Sequence, residues 1–157
     1  MLKTLHIKQG KIVGIRTSVF TIFNPEKYDP MAIPTAWKDF FTNAADSELS
    51  KNDTFYGASI PSMSMDAPMD YFAGALVESE FETPAGFESV DIPEGEYVTF
   101  EHVGPISEIA SSYQKAYMQS LPASGREMRP APHLEIYDPN LDPMDAEYRM
   151  LIGVPVK

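Results

Sequence analysis

The pentapeptide His133-Leu134-Glu135-Ile136-Tyr137 is the segment of this 157-residue chain whose residue types and spacing best suit chemistry. Side chains alternate between faces of a strand, so His133, Glu135 and Tyr137 share one side and Leu134 and Ile136 the other. If helices cover the Leu134/Ile136 face, Glu135 and Tyr137 point to the opposite surface, where a cleft can form; otherwise they mark an exposed sheet face. A carboxylate in a partly dry aromatic pocket attracts a cation more strongly than a surface acid does. Each aromatic face adds roughly 0.5–2 kcal/mol of cation–π attraction.

Other constellations carry less. His6, His102 and His133 are far apart and have no HExxH or CxxC companion, so they read as surface or hydrogen-bonded histidines and not as a metal site. Asp138-Pro-Asn140-Leu-Asp142 faintly resembles a calcium loop. Pro143 stands where that loop needs glycine and Arg149 where it needs a bidentate glutamate, so the segment reads as a turn formed by Asp138 and Asp142. Ser124-Gly125 lacks the strand-to-helix elbow of a hydrolase, and no glycine-rich phosphate cradle is present.

The chain carries 23 acidic and 12 basic side chains, for a formal net charge of −11. Such a chain repels nucleic-acid and membrane anions, and a cationic partner suits it better. Most of the excess is late: residues 1–78 hold 9 acids and 7 bases, residues 79–157 hold 14 and 5. With no cysteine there are no disulfides or thiolate sites, which fits a reducing cytoplasm. Neither a secretion signal nor an 18-residue apolar run is found, so no membrane span and a cytoplasmic location are expected.

These residues must be positioned by elements that the pattern gives twice. Lys11–Phe20 reads as a strand; Ile33, Ala36, Trp37, Phe40, Phe41 and Ala44 recur at helical spacing, with Pro34 in the first turn. Asp53–Ile60 and Asp70–Glu78 follow as strands, joined by a methionine-rich turn carrying Met63, Met65 and Met69 that could adapt to different ligands. The second series has a strand at Glu96–His102 and a helix marked by Ile106, Ile109, Ala110, Tyr113, Ala116, Tyr117 and Leu121, opened by Gly104-Pro105 and closed by Pro122. Strands at His133–Tyr137 and Glu147–Val156 complete it. Trp37 falls opposite Tyr113, Gly57 opposite Glu135, and Tyr71 opposite Tyr148, at a near-constant offset. The expectation is an α+β fold of tandem duplicated βαββ units: one domain over 1–157, with repeat 1 at about 1–78, a linker at about 79–86 and repeat 2 at about 87–157. Two helices pack on antiparallel sheet, with a central ligand cleft.

Several pieces in order carry a resemblance: His102-Val-Gly-Pro105, Leu121-Pro-x-Ser124-Gly125, Arg129-Pro-x-Pro132, Leu134-Glu-Ile-Tyr-Asp138 and Val154-Pro-Val156. Together, across Glu101–Lys157, they are similar to the gyrase-inhibitor-like (GyrI-like) small-molecule-binding family. That family also supplies the effector-binding domains of AraC- and MerR-type multidrug-responsive regulators. The resemblance implies an SHS2-like fold, as in the Rob C-terminal domain, with an aromatic cleft whose acid engages cationic, apolar-bodied ligands and no cofactor. It makes Glu135 the charge partner and Trp37 an aromatic wall, with Tyr137 as neighbour and Tyr56, Tyr71, Tyr113 and Tyr148 as wall candidates. Regulators place a helix-turn-helix domain before this module, whereas here Met1–Gly10 leads directly into a strand. A stand-alone drug-binding module without direct nucleic-acid binding is therefore expected, with a transcription regulator or DNA gyrase as candidate protein partner. Some relatives hydrolyse reactive cyclopropane-containing compounds with a glutamate and a tyrosine, which makes a hydrolase the alternative.

Overall fold

A computed structural model describes residues 3–21, 23–61 and 66–157. It contains one eight-stranded antiparallel sheet with helices against one face. The strands are β1 (Lys3–Ile7), β2 (Gly10–Val19), β3 (Phe55–Ile60), β4 (Met69–Val77), β5 (Glu88–Ile92), β6 (Gly95–Val103), β7 (His133–Tyr137) and β8 (Arg149–Val156). Their order across the sheet is β1-β6-β8-β7-β3-β4-β2-β5. With β1–β4 matched to β5–β8, the order reads alike from either end. The flanking strand of each half is exchanged: β1 pairs with β6, and β5 with β2. The two halves meet where β3 and β7 pair, in a ladder centred on Gly57 and Glu135.

The first helix, α1, spans Ala32–Ala44 and starts on Met31 without a side-chain cap. Pro34 sits in its first turn, where a missing N–H costs nothing. Two adjacent rows of side chains run along it at four-residue spacing. Ala36, Phe40 and Ala44 are buried against Val13, Phe55, Tyr71 and Ala73, and burying a side chain such as Phe40 stabilises the fold by about 2 kcal/mol. The neighbouring row, Ile33, Trp37 and Phe41, leaves the sheet and turns toward a cavity.

The second helix is composite. A 3-10 turn at Ile106–Glu108 leads into α2 (Ile109–Lys115), a π turn follows at Ala116–Ser120, and α3 (Leu121–Ser124) ends on Gly125 at φ 73°. Pro122 therefore does not close the helix, contrary to the sequence reading. It lies in the first turn of α3, just after the π turn, where no backbone N–H is required. Ala116 and Leu121 bury against Val98, Tyr148, Met150 and Ile152. His102 ties this helix to the sheet: Nε2 donates to the carbonyls of Gly104 and Pro105 (3.0 and 3.1 Å), leaving Nδ1 to accept from Ser112 Oγ at 2.6 Å. The His-Val-Gly-Pro piece is thus an anchoring corner.

The other sheet face is also buried, although no described helix covers it. Ile7, Ile12, Ala58, Phe72, Ile92, Tyr97 and Leu134 form its core, which the sheet creates by curling on itself. This reverses the conditional expectation for β7: the helices cover the Glu135/Tyr137 face, and the curled sheet takes Leu134. Alternation tells which residues share a face but not which face a helix will choose.

Candidate functional site

Glu135 lies at the centre of the sheet, facing the helices and 6 % exposed. Across the ladder stands Gly57, the one residue that leaves it room. A Cβ there would overlap the Tyr71 hydroxyl and come within 3.0 Å of Glu135 Oε1. Three phenols converge on the carboxylate from different elements. Tyr71 of β4 donates to Oε1 at 2.7 Å, Tyr137 of β7 donates to Oε1 at 2.6 Å, and Tyr113 of α2 donates to Oε2. Trp37 of α1 extends the network, its indole Nε1 donating to the Tyr71 hydroxyl at 2.9 Å. Hydrogen bonds to an ionised acceptor are among the strongest uncharged groups can offer. Among the described residues no Lys or Arg pairs with Glu135.

Electrostatics keep these phenols as donors. Burial, and then the Glu135 charge, push the hydroxyls of Tyr71, Tyr113 and Tyr137 well above the ordinary tyrosine range. Tyr148 is pushed up to about 12 by burial, then by Glu135 and Asp138. The field also reaches Tyr28, raised by burial, Glu135 and Asp29. Beyond Tyr113 runs a stack: Tyr113 on Tyr117 with ring centres 6.1 Å apart, and Tyr117 on His133 at 5.7 Å. Tyr117 Oη and His133 Nδ1 are 2.6 Å apart. Burial lowers the His133 pKa to about 4, so the ring is neutral at physiological pH.

A cavity of about 530 Å³ opens on the other side of this network. Its wall combines Ile33, Pro34, Trp37 and Phe41 of α1, Phe55 of β3, Tyr137 of β7, Tyr148, Ile106 and the segment Asp138, Pro139, Leu141 and Pro143. Trp37 meets Tyr137 edge to face with centres 5.1 Å apart. Glu135 lies one side-chain layer below: Tyr137 presents its ring to the cavity while its hydroxyl holds the carboxylate. Asp138 is the acid in the wall itself, and its Oδ1 also accepts from the Asn140 amide at 2.9 Å as the turn reading expects. An apolar cavity with a few polar groups at one end is the usual form of a small-molecule site.

The sequence-predicted residues divide accordingly. Trp37, Tyr137 and Tyr148 line the cavity, and Tyr71 and Tyr113 hold Glu135 without lining it. Tyr56 is a correction: it packs with Ala58 and Leu134 on the opposite sheet face, because its neighbour Gly57 faces Glu135 and adjacent strand residues point apart. The expected match of Tyr71 with Tyr148 also shifts. With Gly57 set against Glu135, the ladders Gly57↔Ala73 and Glu135↔Ile152 put Tyr71 opposite Met150. Met63 and Met65 lie outside the described residues, and Met69 packs against the α1 core. The sequence reading passed over Phe41, Phe55 and Asp138 as site residues. The four-residue spacing of Trp37 and Phe41 was the available signal for the first.

Comparison with known proteins agrees with this architecture. The chain superposes on SAV2435 solved with bound tetraphenylphosphonium at a TM-score of 0.75, with 16 % identity over 100 % of this chain and 94 % of that one. It superposes on the EcmrR C-terminal domain at 0.72, with 15 % identity over 100 % and 97 %. A hydrolase from Listeria innocua is more distant, at 0.54 and 14 % identity over 99 % and 91 %. No curated protein matches the sequence significantly. No described helix is long and apolar enough to cross a membrane. The profile of the GyrI-like small molecule binding domain, however, matches residues 6–157, nearly the whole sheet, both helices and every wall of the cavity, and the chain belongs to that family.

Proposed function

We propose that this domain binds cationic, apolar-bodied aromatic molecules in the cavity beside Trp37, with Glu135 as the charge partner. The observation that carries this reading is a buried carboxylate with no cationic side chain paired to it among the described residues, held by phenols under an aromatic wall. Burying a charge without a counter-ion is costly unless it is richly hydrogen-bonded. A ligand cation over the Tyr137 and Trp37 rings supplies the missing countercharge and gains cation–π attraction. Selectivity is broad, because ring faces and one charge demand no matched hydrogen-bond set. The neighbour solved with tetraphenylphosphonium supports the class of ligand, and the EcmrR domain of the same fold, from a protein solved in complex with DNA, supports a sensing role for this module.

Trp37 is the only tryptophan, so its fluorescence reports on the cavity directly. Tetraphenylphosphonium should quench it. Glu135→Gln, which keeps the shape and an acceptor for the phenols, should weaken that cation by about 2 kcal/mol, roughly thirtyfold, with little effect on neutral triphenylphosphine oxide. Equal weakening of both would remove Glu135 as charge partner. A hydrolytic reading draws on the same carboxylate and phenols and on the hydrolase neighbour; it requires product formation from an electrophilic substrate that stops in Glu135→Gln.

A further inference from the structure

The two acids at this site occupy different depths. Glu135 is buried under the Tyr137 ring, whereas Asp138, three residues on, is exposed and lies in the cavity wall. At a strand rise of roughly 3.3 Å per residue, their backbones are about 10 Å apart. The wall between and around them is aromatic, with Tyr137, Trp37 and Tyr148 all facing the same space. Among the described residues neither acid forms an ion pair. Burial raises the Tyr148 hydroxyl first, and the Glu135 and Asp138 charges raise it further, so both acids act on one ring of the wall.

Resting on the reading of the cavity as a cation site, we propose that it favours elongated aromatic dications, one charged end directed toward Glu135 and the other held at the mouth by Asp138. A compact monocation uses only the inner acid. A rigid body with cationic groups at both ends satisfies both without folding, and its rings lie along the aromatic wall. Because Asp138 is exposed, its contribution is that of a screened ion pair. It sets preference within the ligand class, and Glu135 sets membership of it.

The test compares biphenyl-4,4′-dicarboxamidine with biphenyl-4-carboxamidine by calorimetric titration of the full chain. The wild-type protein should bind the dication more tightly. Asp138→Asn should reduce that affinity by about three- to fivefold and leave the monocation unchanged. Asp91→Asn serves as control. It removes the same charge from β5 at the sheet edge, and should move both ligands alike. The proposal is overturned if Asp138→Asn weakens both ligands equally, if it weakens neither, or if Asp91→Asn reproduces its selectivity. Failure of the underlying reading looks different: neither amidine binds, or Glu135→Gln leaves both affinities intact.

Discussion

At the scale of single residues, the site is a carboxyl group hydrogen-bonded by three phenols, with a neutral histidine two positions along the same strand. The state of His133 makes a pH-dependent contribution to stability. Its pKa falls from the ordinary 6.5 to about 4 on folding, so the folded state resists a proton that the unfolded chain accepts. That stability is fully present above about pH 6.5 and is lost as pH falls through 4, to a total of about 3 kcal/mol. Urea unfolding of the wild type and His133→Asn between neutral pH and pH 4 should show the variant gaining on the wild type by up to this amount; parallel curves would refute the assignment. That Glu135 and Tyr137 share a strand face, and that Trp37 lies on one stripe of α1, was legible in the sequence because alternation and helical spacing fix both. The place of Tyr56 follows from the same alternation: setting Gly57 against Glu135 requires the preceding residue to face away. What could not be read was the depth of Glu135, since no local pattern tells that three phenols from β4, β7 and α2 converge on one carboxylate.

At the scale of elements, the strongly periodic segments appear close to where the spacing puts them, β7 residue for residue. The edge strands β1 and β5 were not anticipated. Each presents mostly exposed side chains, with one buried isoleucine, Ile7 or Ile92, at its end, so the apolar alternation is only two residues long, Leu5/Ile7 and Val90/Ile92. The composite second helix hides behind a single helical period, because a π turn adds a residue without changing the apolar composition. Its end depends on Gly125, whose φ of 73° lies in the left-handed region where a Cβ is strained. Gly125→Ala should lower stability by about 1 kcal/mol, and Gly125→Asn by less, in denaturant unfolding. Equal stability of Gly125→Ala and the wild type would show that this cap does not hold the helix end.

At the scale of the whole molecule, exchange of the flanking strands makes the two halves interdependent. Residues 1–78 carry β1, which completes the sheet beside β6, and residues 79–157 carry β5, which completes it beside β2. A separated half therefore loses a strand it needs and keeps one with nothing to pair. Its buried isoleucine also loses the curled-sheet core. Expressed alone, 1–78 and 79–157 should each lack cooperative unfolding by circular dichroism, and mixing them should restore it. Cooperative unfolding of either fragment alone would show that the exchange is dispensable. The repeated order of elements was visible in the chain; the exchange was not, because both arrangements bury the same residue types.

The pairing of Gly57 with Glu135 at the centre of the sheet has a consequence for stoichiometry. An architecture that reads alike from both ends would, if its sequence followed suit, carry two facing carboxylates on neighbouring strands, which repel and share a proton. With glycine on one side, the centre holds a single carboxyl group, and the space that the second would have filled is taken by the Tyr71 hydroxyl. A near-symmetric scaffold thus carries one carboxyl group at its centre, on the face that the helices cover.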